Sequence, residues 1–216
     1  MTLLWEKSVV SYLLFCRKSV FWSELFYGKR VVAKDVECKA GKRMSDYYEE
    51  FDYLISSGIA LEVQAISKPS FPLVENSGKN LLKLYLNDVG LITYIFFGNA
   101  IKAVLDDEVS INLGSVYETV VAQELKAHGF KLFYYDNKKN GEVDFLLDDA
   151  PNLSVMPLEI KSGKDYQIHS ALDKFLQIDE YNIHNAFVFS NAQDVNLING
   201  VTYLPIYYIM CLDSIQ

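Results

Sequence analysis

Three β-like runs between Phe130 and Gly163 constrain the fold of this chain more than any other feature. They read FKLFYYD, GEVDFLLDD and LSVMPLEIKSG, with short polar breaks between them. Aromatic and branched residues grouped in this way predict successive strands that form a meander. Charged side chains rarely lie in core strands without partners, yet Asp144, Glu159 and Lys161 fall inside these runs. These three residues are therefore the first candidates for a functional site.

The segments around the meander predict a mixed α/β protein. A β-like run, NLLKLYLN, precedes a helix that Asp88 can cap. Residues 115–128 have helical periodicity up to Gly129, and residues 167–181 have it again, whereas NAFVFSN and GVTYLPIYYI are β-like. This order indicates a mixed sheet flanked by helices. Half of the 216 residues are apolar, which is enough to bury a large core.

Residues 1–77 predict a separate, helix-rich segment. Residues 2–20 have the pattern of an amphipathic helix. The run SDYYEEFDYLISSGIALEVQAIS reads as a helix capped by Ser45, a stop at Gly58 and an exposed strand. A helix, a glycine stop and a strand are typical of a winged helix. The clearest linker is KPSFPLVENSGKN, and it divides this segment from a second domain, residues 78–216.

Charge and motif content count against several classes of protein. The net charge of −8 disfavours broad non-specific nucleic-acid binding, although residues 28–43 are rich in Lys and Arg. Cys16, Cys38 and Cys211 lack the spacing of a zinc site or a disulfide framework. There is no P-loop motif, so we expect no ATP site on this chain. Without a long apolar run or a signal peptide, the sequence predicts a cytoplasmic protein with no membrane partner.

Strand geometry relates the two charged residues of LEIKS. Side chains alternate across a strand, so Glu159 and Lys161 share a face, separated by about 7 Å along the chain. Leu158 and Ile160 then point to the other face, into the core. The plainest interpretation of the charged pair is an ion pair of modest value. The apolar neighbours favour a functional site instead.

The same alternation applies to GEVDF. It predicts that Val143 and Phe145 face one way, while Glu142 and Asp144 face the other. We expect Glu142 to be a solvated strand residue. If GEVDF and LEIKS are neighbouring strands, Asp144 joins Glu159 in one cleft.

Two neighbouring carboxylates and a lysine have a recognisable chemistry. Carboxylates a few ångströms apart repel each other, and a divalent cation relieves that repulsion. Mg²⁺ is typically held by one or two carboxylates together with water and phosphate, and it acidifies bound water. An adjacent lysine stabilises charge on the phosphate. Glu118, on the preceding helix, is the candidate third carboxylate, although Ser115-x-x-Glu118 equally fits a capping box.

The combined motifs resemble the PD-(D/E)XK nuclease superfamily, which has the restriction-endonuclease-like fold. The matching pieces are the helix glutamate in GSVYETVVAQEL, the aspartate in GEVDF and the E-x-K of LEIKS. More narrowly, residues 44–189 are similar to an uncharacterised C-terminal region that follows many prokaryotic AAA+ ATPase modules. There a winged-helix segment and a KLYLNDVGL-like strand and helix precede the same motifs. That ATPase module is not on this chain, so the resemblance implies an excised C-terminal fragment or a shortened gene.

The resemblance also implies roles for single residues. Asp144 and Glu159 would hold Mg²⁺ or Mn²⁺, and the backbone carbonyl of Ile160 would be a further ligand. Glu118 would be an auxiliary metal ligand. Lys161 would act on the scissile phosphate.

The residues leave three functions open. The first is a metal-dependent deoxyribonuclease. The second is a nuclease-like module that does not cleave and instead binds an AAA+ ATPase or another protein. The third is a DNA-binding regulator that acts through the winged helix and residues 28–43. Gln177 and Tyr181 add a Q-x-x-x-Y spacing seen in the RecB-like branch of the superfamily, a short pattern that arises readily by chance. The sequence does not specify an oligomeric state.

Overall fold

A computed structural model describes residues 48–76, 82–106, 112–163 and 166–212. Several predictions fall outside these residues. They concern the helix at residues 2–20, the basic stretch at residues 28–43 and the cap at Ser45. The winged-helix prediction is therefore untested for the residues that precede Tyr48.

Eight strands form a single mixed sheet. In chain order they are β1 (Ala60–Ile66), β2 (Leu82–Leu86), β3 (Phe133–Asn137), β4 (Gly141–Asp149), β5 (Ser154–Lys161), β6 (Ala186–Ser190), β7 (Asn196–Ile198) and β8 (Val201–Pro205). Their order across the sheet is β2-β1-β3-β4-β5-β6-β8-β7. Strands β3, β4 and β5 pair antiparallel, which confirms the predicted meander. The pairs β1–β3, β5–β6 and β6–β8 are parallel, so the sheet is mixed.

Helices flank this sheet. They are α1 (Tyr48–Ser56), α2 (Val89–Phe97), α3 (Ile101–Leu105), α4 (Gly114–Ala127) and α5 (Ser170–Leu176). Short 3-10 helices lie at Leu73–Asn76, Gly98–Ala100, Ala150–Asn152, Asp179–Tyr181 and Ile206–Cys211. The side chain of Asp88 accepts the N–H groups of Gly90 and Leu91, which confirms it as the cap of α2. Of the described helices, none has the length and apolar character needed to cross a membrane.

Two predicted spans are shorter than expected. The helical pattern over residues 167–181 forms α5 and then the 3-10 helix Asp179–Tyr181. The β-like run GVTYLPIYYI is a strand only as far as Pro205, and a 3-10 helix begins at Ile206. Proline fixes φ and lacks an N–H donor, which suits the end of a strand.

Strand β1 corrects one expectation for the first segment. We expected an exposed strand, but β1 lies between β2 and β3 inside the sheet. Its side chains at Leu61, Val63 and Ala65 are buried. The predicted domain boundary between residues 77 and 78 lies outside the described residues. Strand β1 precedes this boundary and β2 follows it, and the two strands pair antiparallel in one sheet.

Apolar clusters cover both faces of the sheet and thereby position the strands of the candidate site. The first, which we call the α4 cluster, includes residues of α4 and of the central strands: Val121, Ala122, Leu125, Tyr134, Phe145, Leu158 and Ile160. The second, the α5 cluster, joins α5 to the opposite face: Leu172, Phe175, Tyr135, Val143, Leu146 and Val188. A smaller cluster packs α1 and α2 on β1 and β2.

Candidate functional site

Strand β4 is irregular within the GEVDF run. Phe133 pairs with Leu146 and Tyr135 with Val143, so β4 has one residue more than β3 between these pairs. A β-bulge of this kind changes which way the following side chains point. Val143 belongs to the α5 cluster, whereas Phe145 belongs to the α4 cluster. The prediction that Val143 and Phe145 face the same way is therefore wrong, because simple alternation does not allow for an inserted residue.

Asp144 joins β4 to β5 through its side chain. Phe145 and Leu158 are the backbone pair nearest to this point. Just beyond them, Oδ2 of Asp144 accepts a hydrogen bond from the backbone N–H of Ile160 at 2.7 Å. The half-buried carboxylate of Asp144 thus lies between the two strands, beside Glu159 and Lys161, which flank Ile160.

The second carboxylate is paired with a lysine on its own strand. Nζ of Lys161 donates to Oε1 of Glu159 at 2.8 Å, and the side chain of Glu159 is 7% exposed against 28% for Lys161. Leu158 and Ile160 lie in the α4 cluster, which confirms that they face away from this pair. The other oxygen, Oε2 of Glu159, is buried and has no hydrogen-bond partner among the described residues. An unsatisfied carboxylate oxygen is costly, and a cation is a natural partner for it.

Glu118 is held by a tyrosine of β2. Its Oε2 accepts a hydrogen bond from the hydroxyl of Tyr85 at 2.7 Å. The capping-box alternative is wrong, because α4 already begins at Gly114 with Leu113 at its N-cap position, so Ser115 lies inside the helix. Instead, Oδ1 of Asn112 accepts the N–H of Gly114 at 3.0 Å, and Ser115 is buried. Glu118 is therefore directed at the sheet rather than at the end of its own helix.

The three carboxylates interact electrostatically through Asp144. Burial, followed by the charge of Asp144, raises the pKa of Glu118 to about 8. The same two causes, in the same order, raise the pKa of Glu159 to about 8. Burial also raises the pKa of Asp144, although nearby positive charge and the Ile160 N–H act against it. Without a further cation, the folded protein therefore resists the simultaneous ionisation of these three carboxylates.

Lys83, on β2, is a member of the site that sequence analysis missed. It is fully buried, and its Nζ lies 2.5 Å from Oε1 of Glu142 and 4.7 Å from the ring centroid of Tyr134. Burial lowers the pKa of Lys83, but Glu142, Asp144 and Glu118 raise it by more, so the net pKa is above its usual value. The available signal was a lysine within the apolar run KLYL, the same kind of signal that identified Glu159.

Glu142 is accordingly more than a solvated strand residue. Its side chain is 41% exposed, and it forms the outer half of an ion pair whose inner half, Lys83, is buried. We use the term carboxylate–lysine cluster for the complete set of charged residues: Lys83, Glu118, Glu142, Asp144, Glu159 and Lys161.

The fit of this cluster to a divalent ion depends on its carboxylates. Within the described part of the chain, no three or more His, Cys, Asp or Glu side chains are gathered closely enough to hold a metal ion. Mg²⁺, however, commonly uses one or two carboxylates and completes its shell with water and phosphate. Asp144 and Glu159 fit this set of two carboxylates, because Oε2 of Glu159 is buried and has no hydrogen-bond partner among the described residues. The ligand roles of Glu118 and of the Ile160 carbonyl stay predictions.

Tyr181 contacts aromatic residues of the α5 cluster. Its ring packs on Phe175 and Tyr135, and its hydroxyl lies 3.3 Å from that of Tyr135. Gln177 follows directly after α5 as its C-terminal cap residue. These contacts explain Tyr181 as a packing residue, and the Q-x-x-x-Y hypothesis stays a prediction.

Fold and site together define a mixed α/β protein with a carboxylate–lysine cluster where β2, β4, β5 and α4 meet. Residues 113–209 match the family model described as Domain of unknown function (DUF4143). That stretch contains Glu118, Asp144, Glu159 and Lys161, whereas Lys83 precedes it. No curated protein and no solved structure matches the chain.

Proposed function

We propose that the carboxylate–lysine cluster is the active site of a Mg²⁺-dependent DNA phosphodiesterase, in a PD-(D/E)XK-like domain associated with an AAA+ ATPase. The observation that carries this proposal is the hydrogen bond between Asp144 and the Ile160 N–H. This hydrogen bond holds the Asp144 carboxylate of β4 beside Glu159 and Lys161 of β5. The resemblance of GEVDF and LEIKS to the nuclease motifs supports a phosphodiester of DNA as the substrate.

Each residue has a role that its surroundings allow. Asp144 and Glu159 would hold Mg²⁺ or Mn²⁺, and the unsatisfied Oε2 of Glu159 would gain a partner. When bound, the ion supplies Lewis-acid polarisation of the phosphate and a more acidic water. Lys161 is the more exposed partner of its ion pair, so its ammonium is available to stabilise charge on the phosphate.

The test uses the purified chain with plasmid and linear DNA. We expect cleavage with Mg²⁺ or Mn²⁺ and none after addition of EDTA. Asp144→Asn should abolish cleavage, because it removes a charge that the ion requires. Glu180→Gln is the matched control, since Glu180 is an exposed carboxylate in the 3-10 helix Asp179–Tyr181. Cleavage that Asp144→Asn leaves unchanged would contradict the proposal.

A second candidate function is a module that binds protein without catalysis. It is favoured by the same finding that limits the metal site, namely that no group of three ligands is close enough among the described residues. The contacts Lys83–Glu142, Lys161–Glu159 and Asp144–Ile160 also satisfy much of the charge within the chain. In this case the cluster would stabilise the fold for docking to an ATPase or another protein.

One measurement separates the two candidates. Calorimetric titration of the wild-type chain with Mn²⁺ should show binding if the site is catalytic. A chain that neither binds Mn²⁺ nor cleaves DNA selects the binding module. In that case Asp144→Asn should leave partner binding intact, provided that the variant folds.

A further inference from the structure

A short turn joins β3 to β4 and carries two neighbouring lysines. Residues 138–140 form this turn, and Lys138 and Lys139 are both exposed. Among the ion pairs of the described residues, none involves either lysine. Both ammonium groups are therefore available to an external anion.

Asparagine side chains on either side of the two lysines hold the turn in one shape. Oδ1 of Asn137 accepts the backbone N–H groups of Lys139 at 2.9 Å and of Asn140 at 3.3 Å. The side-chain amide of Asn140 donates to the hydroxyl of Tyr135 at 3.1 Å. The side-chain amide of Asn137 donates to the carbonyl of Ser67, just after β1, at 3.4 Å. None of these bonds uses a lysine side chain, so the fold presents the two ammonium groups on a fixed backbone.

The turn lies at the same edge of the sheet as the end of LEIKS. Strands β1, β3 and β5 run in one direction, because β1 is parallel to β3 and β4 is antiparallel to both β3 and β5. The turn follows the carboxyl end of β3, and Lys161 is the last residue of β5. Lys139 precedes Asp144 by five residues, so their Cα atoms are at most about 18 Å apart. A DNA molecule with a phosphate at Asp144 therefore passes within reach of the turn.

We propose that Lys138 and Lys139 bind backbone phosphates of duplex DNA near the scissile phosphate, and thereby position the substrate for the carboxylate–lysine cluster. The inference rests on the proposed function for the choice of DNA as the ligand. At about 3.4 Å per base pair, the separation of the turn from Asp144 corresponds to about five base pairs of duplex. Phosphate contacts of this kind fix the register and orientation of a duplex without reading its sequence.

Two carboxylates near the turn do not cancel its positive charge. Glu142, the first carboxylate of β4, is already paired with the buried ammonium of Lys83. Asp136 lies opposite Glu142 in the sheet and is half-buried. With Lys138 and Lys139, three lysines stand against two carboxylates here, so the turn is locally positive in a chain whose net charge is −8. Phosphate binding by an acidic chain requires such a local group of basic residues.

The experiment measures binding of a fluorescein-labelled DNA duplex to the full chain in EDTA over a series of salt concentrations. Each phosphate that a lysine neutralises adds about 0.9 to the slope with which the logarithm of the binding constant falls against the logarithm of salt concentration. Lys138→Gln/Lys139→Gln should therefore weaken binding and reduce this slope by about 1.8. Lys138→Arg/Lys139→Arg keeps both charges and should retain the wild-type slope.

The control is Lys126→Gln/Lys131→Gln, which makes the same change in net charge. Both lysines are exposed and line one cavity with Leu132, which directly precedes β3. They therefore lie at the opposite end of β3 from the turn. This variant should retain the wild-type slope. An equal loss of slope in the two glutamine variants would overturn the inference, because net charge alone would then explain the effect.

Cleavage is measured separately in Mg²⁺, so that the inference and the proposed function can fail independently. In a chain that cleaves, Lys138→Gln/Lys139→Gln should raise KM and leave kcat unchanged, because the lost contact is the same in the ground state and the transition state. A fall in kcat with KM unchanged would overturn the positioning role.

The binding results decide the remaining outcomes. A wild-type slope in Lys138→Gln/Lys139→Gln would overturn the inference whether or not the chain cleaves DNA. A wild-type chain that does not bind the duplex even at low salt would also overturn it. Binding that depends on the turn, in a chain that does not cleave, would support the inference and remove the phosphodiesterase function.

Discussion

Oδ2 of Asp144 accepts the backbone N–H of Ile160 at 2.7 Å, so a side chain links β4 to β5 just beyond their last backbone pair. The β-bulge in β4 brings Asp144 to this position. Glu159 and Lys161, on either side of Ile160, are thereby brought next to the carboxylate. The geometry of the candidate site is thus a direct consequence of an irregularity in the sheet.

Lys161→Gln should separate catalysis from metal binding. Glutamine can still donate to Glu159, so the carboxylate keeps a partner, but the positive charge beside the phosphate is lost. We expect cleavage to fall by about 10²–10³-fold, as for the loss of one charge-stabilising donor. Mn²⁺ binding should persist. Single-turnover cleavage and calorimetric titration measure the two effects.

The control for Lys161→Gln is Lys174→Gln, because Lys174 is exposed on α5. It should cleave like wild type. Equal cleavage rates for Lys161→Gln and Lys174→Gln would remove Lys161 from the mechanism.

Tyr85→Phe should destabilise the fold. The Tyr85 hydroxyl is a buried donor to Oε2 of Glu118 at 2.7 Å, and phenylalanine leaves that oxygen without it. Loss of such a donor costs about 1–3 kcal/mol. The free energy of unfolding in urea measures the effect. Tyr94→Phe is the matched control, since Tyr94 is 67% exposed, and a loss of similar size there would contradict this assignment.

Local sequence patterns were sufficient to predict those parts of the fold that depend on residues close together in the chain. The Asp88 cap and the shared face of Glu159 and Lys161 follow from patterns within one element, and the meander follows from three successive elements. The end of α4 before Gly129, with φ at +85°, follows from the glycine itself. These features require no knowledge of which distant segments meet.

The features that the sequence could not reveal depend on contacts between distant segments. The bulge is a mismatch in register between β3 and β4, and neither strand shows it alone. Lys83 reaches Glu142 across the sheet, although the two are far apart in sequence. Ser115-x-x-Glu118 fits a capping box locally, but Tyr85 supplies a competing partner from β2. In each case a tertiary contact decided between local alternatives.

Gly141→Ala should destabilise the start of β4. Gly141 has φ at +98°, a conformation that residues with a side chain rarely adopt, and an added Cβ would lie 3.0 Å from Cβ of Ala171. Strain and contact together should cost at least about 1 kcal/mol. Gly163→Ala is the control, because an added Cβ there meets nothing within 4 Å. Urea unfolding of both variants checks the difference, and equal stabilities would show that neither the positive φ of Gly141 nor the Ala171 contact has an effect.

The stability of the metal-free protein should fall as pH rises through the range set by Glu118 and Glu159. Their usual pKa is 4.5, and burial with the charge of Asp144 raises both to about 8 in the folded state. Below pH 4.5 both states are protonated, so these groups contribute their full stabilisation. Between the two values the unfolded chain loses protons that the folded chain retains, and the folded state loses stability. The loss is complete above about pH 8.

Glu159→Gln isolates this effect from the other titrating groups. The variant has no proton to release at residue 159, and glutamine can still accept from Lys161. The difference in unfolding free energy between wild type and Glu159→Gln, measured by urea in EDTA, should therefore change across this pH range and be flat on either side of it. The control Glu180→Gln should parallel wild type at every pH. A constant difference for Glu159→Gln would mean that Glu159 is ionised normally in the fold, and that its buried oxygen needs no cation.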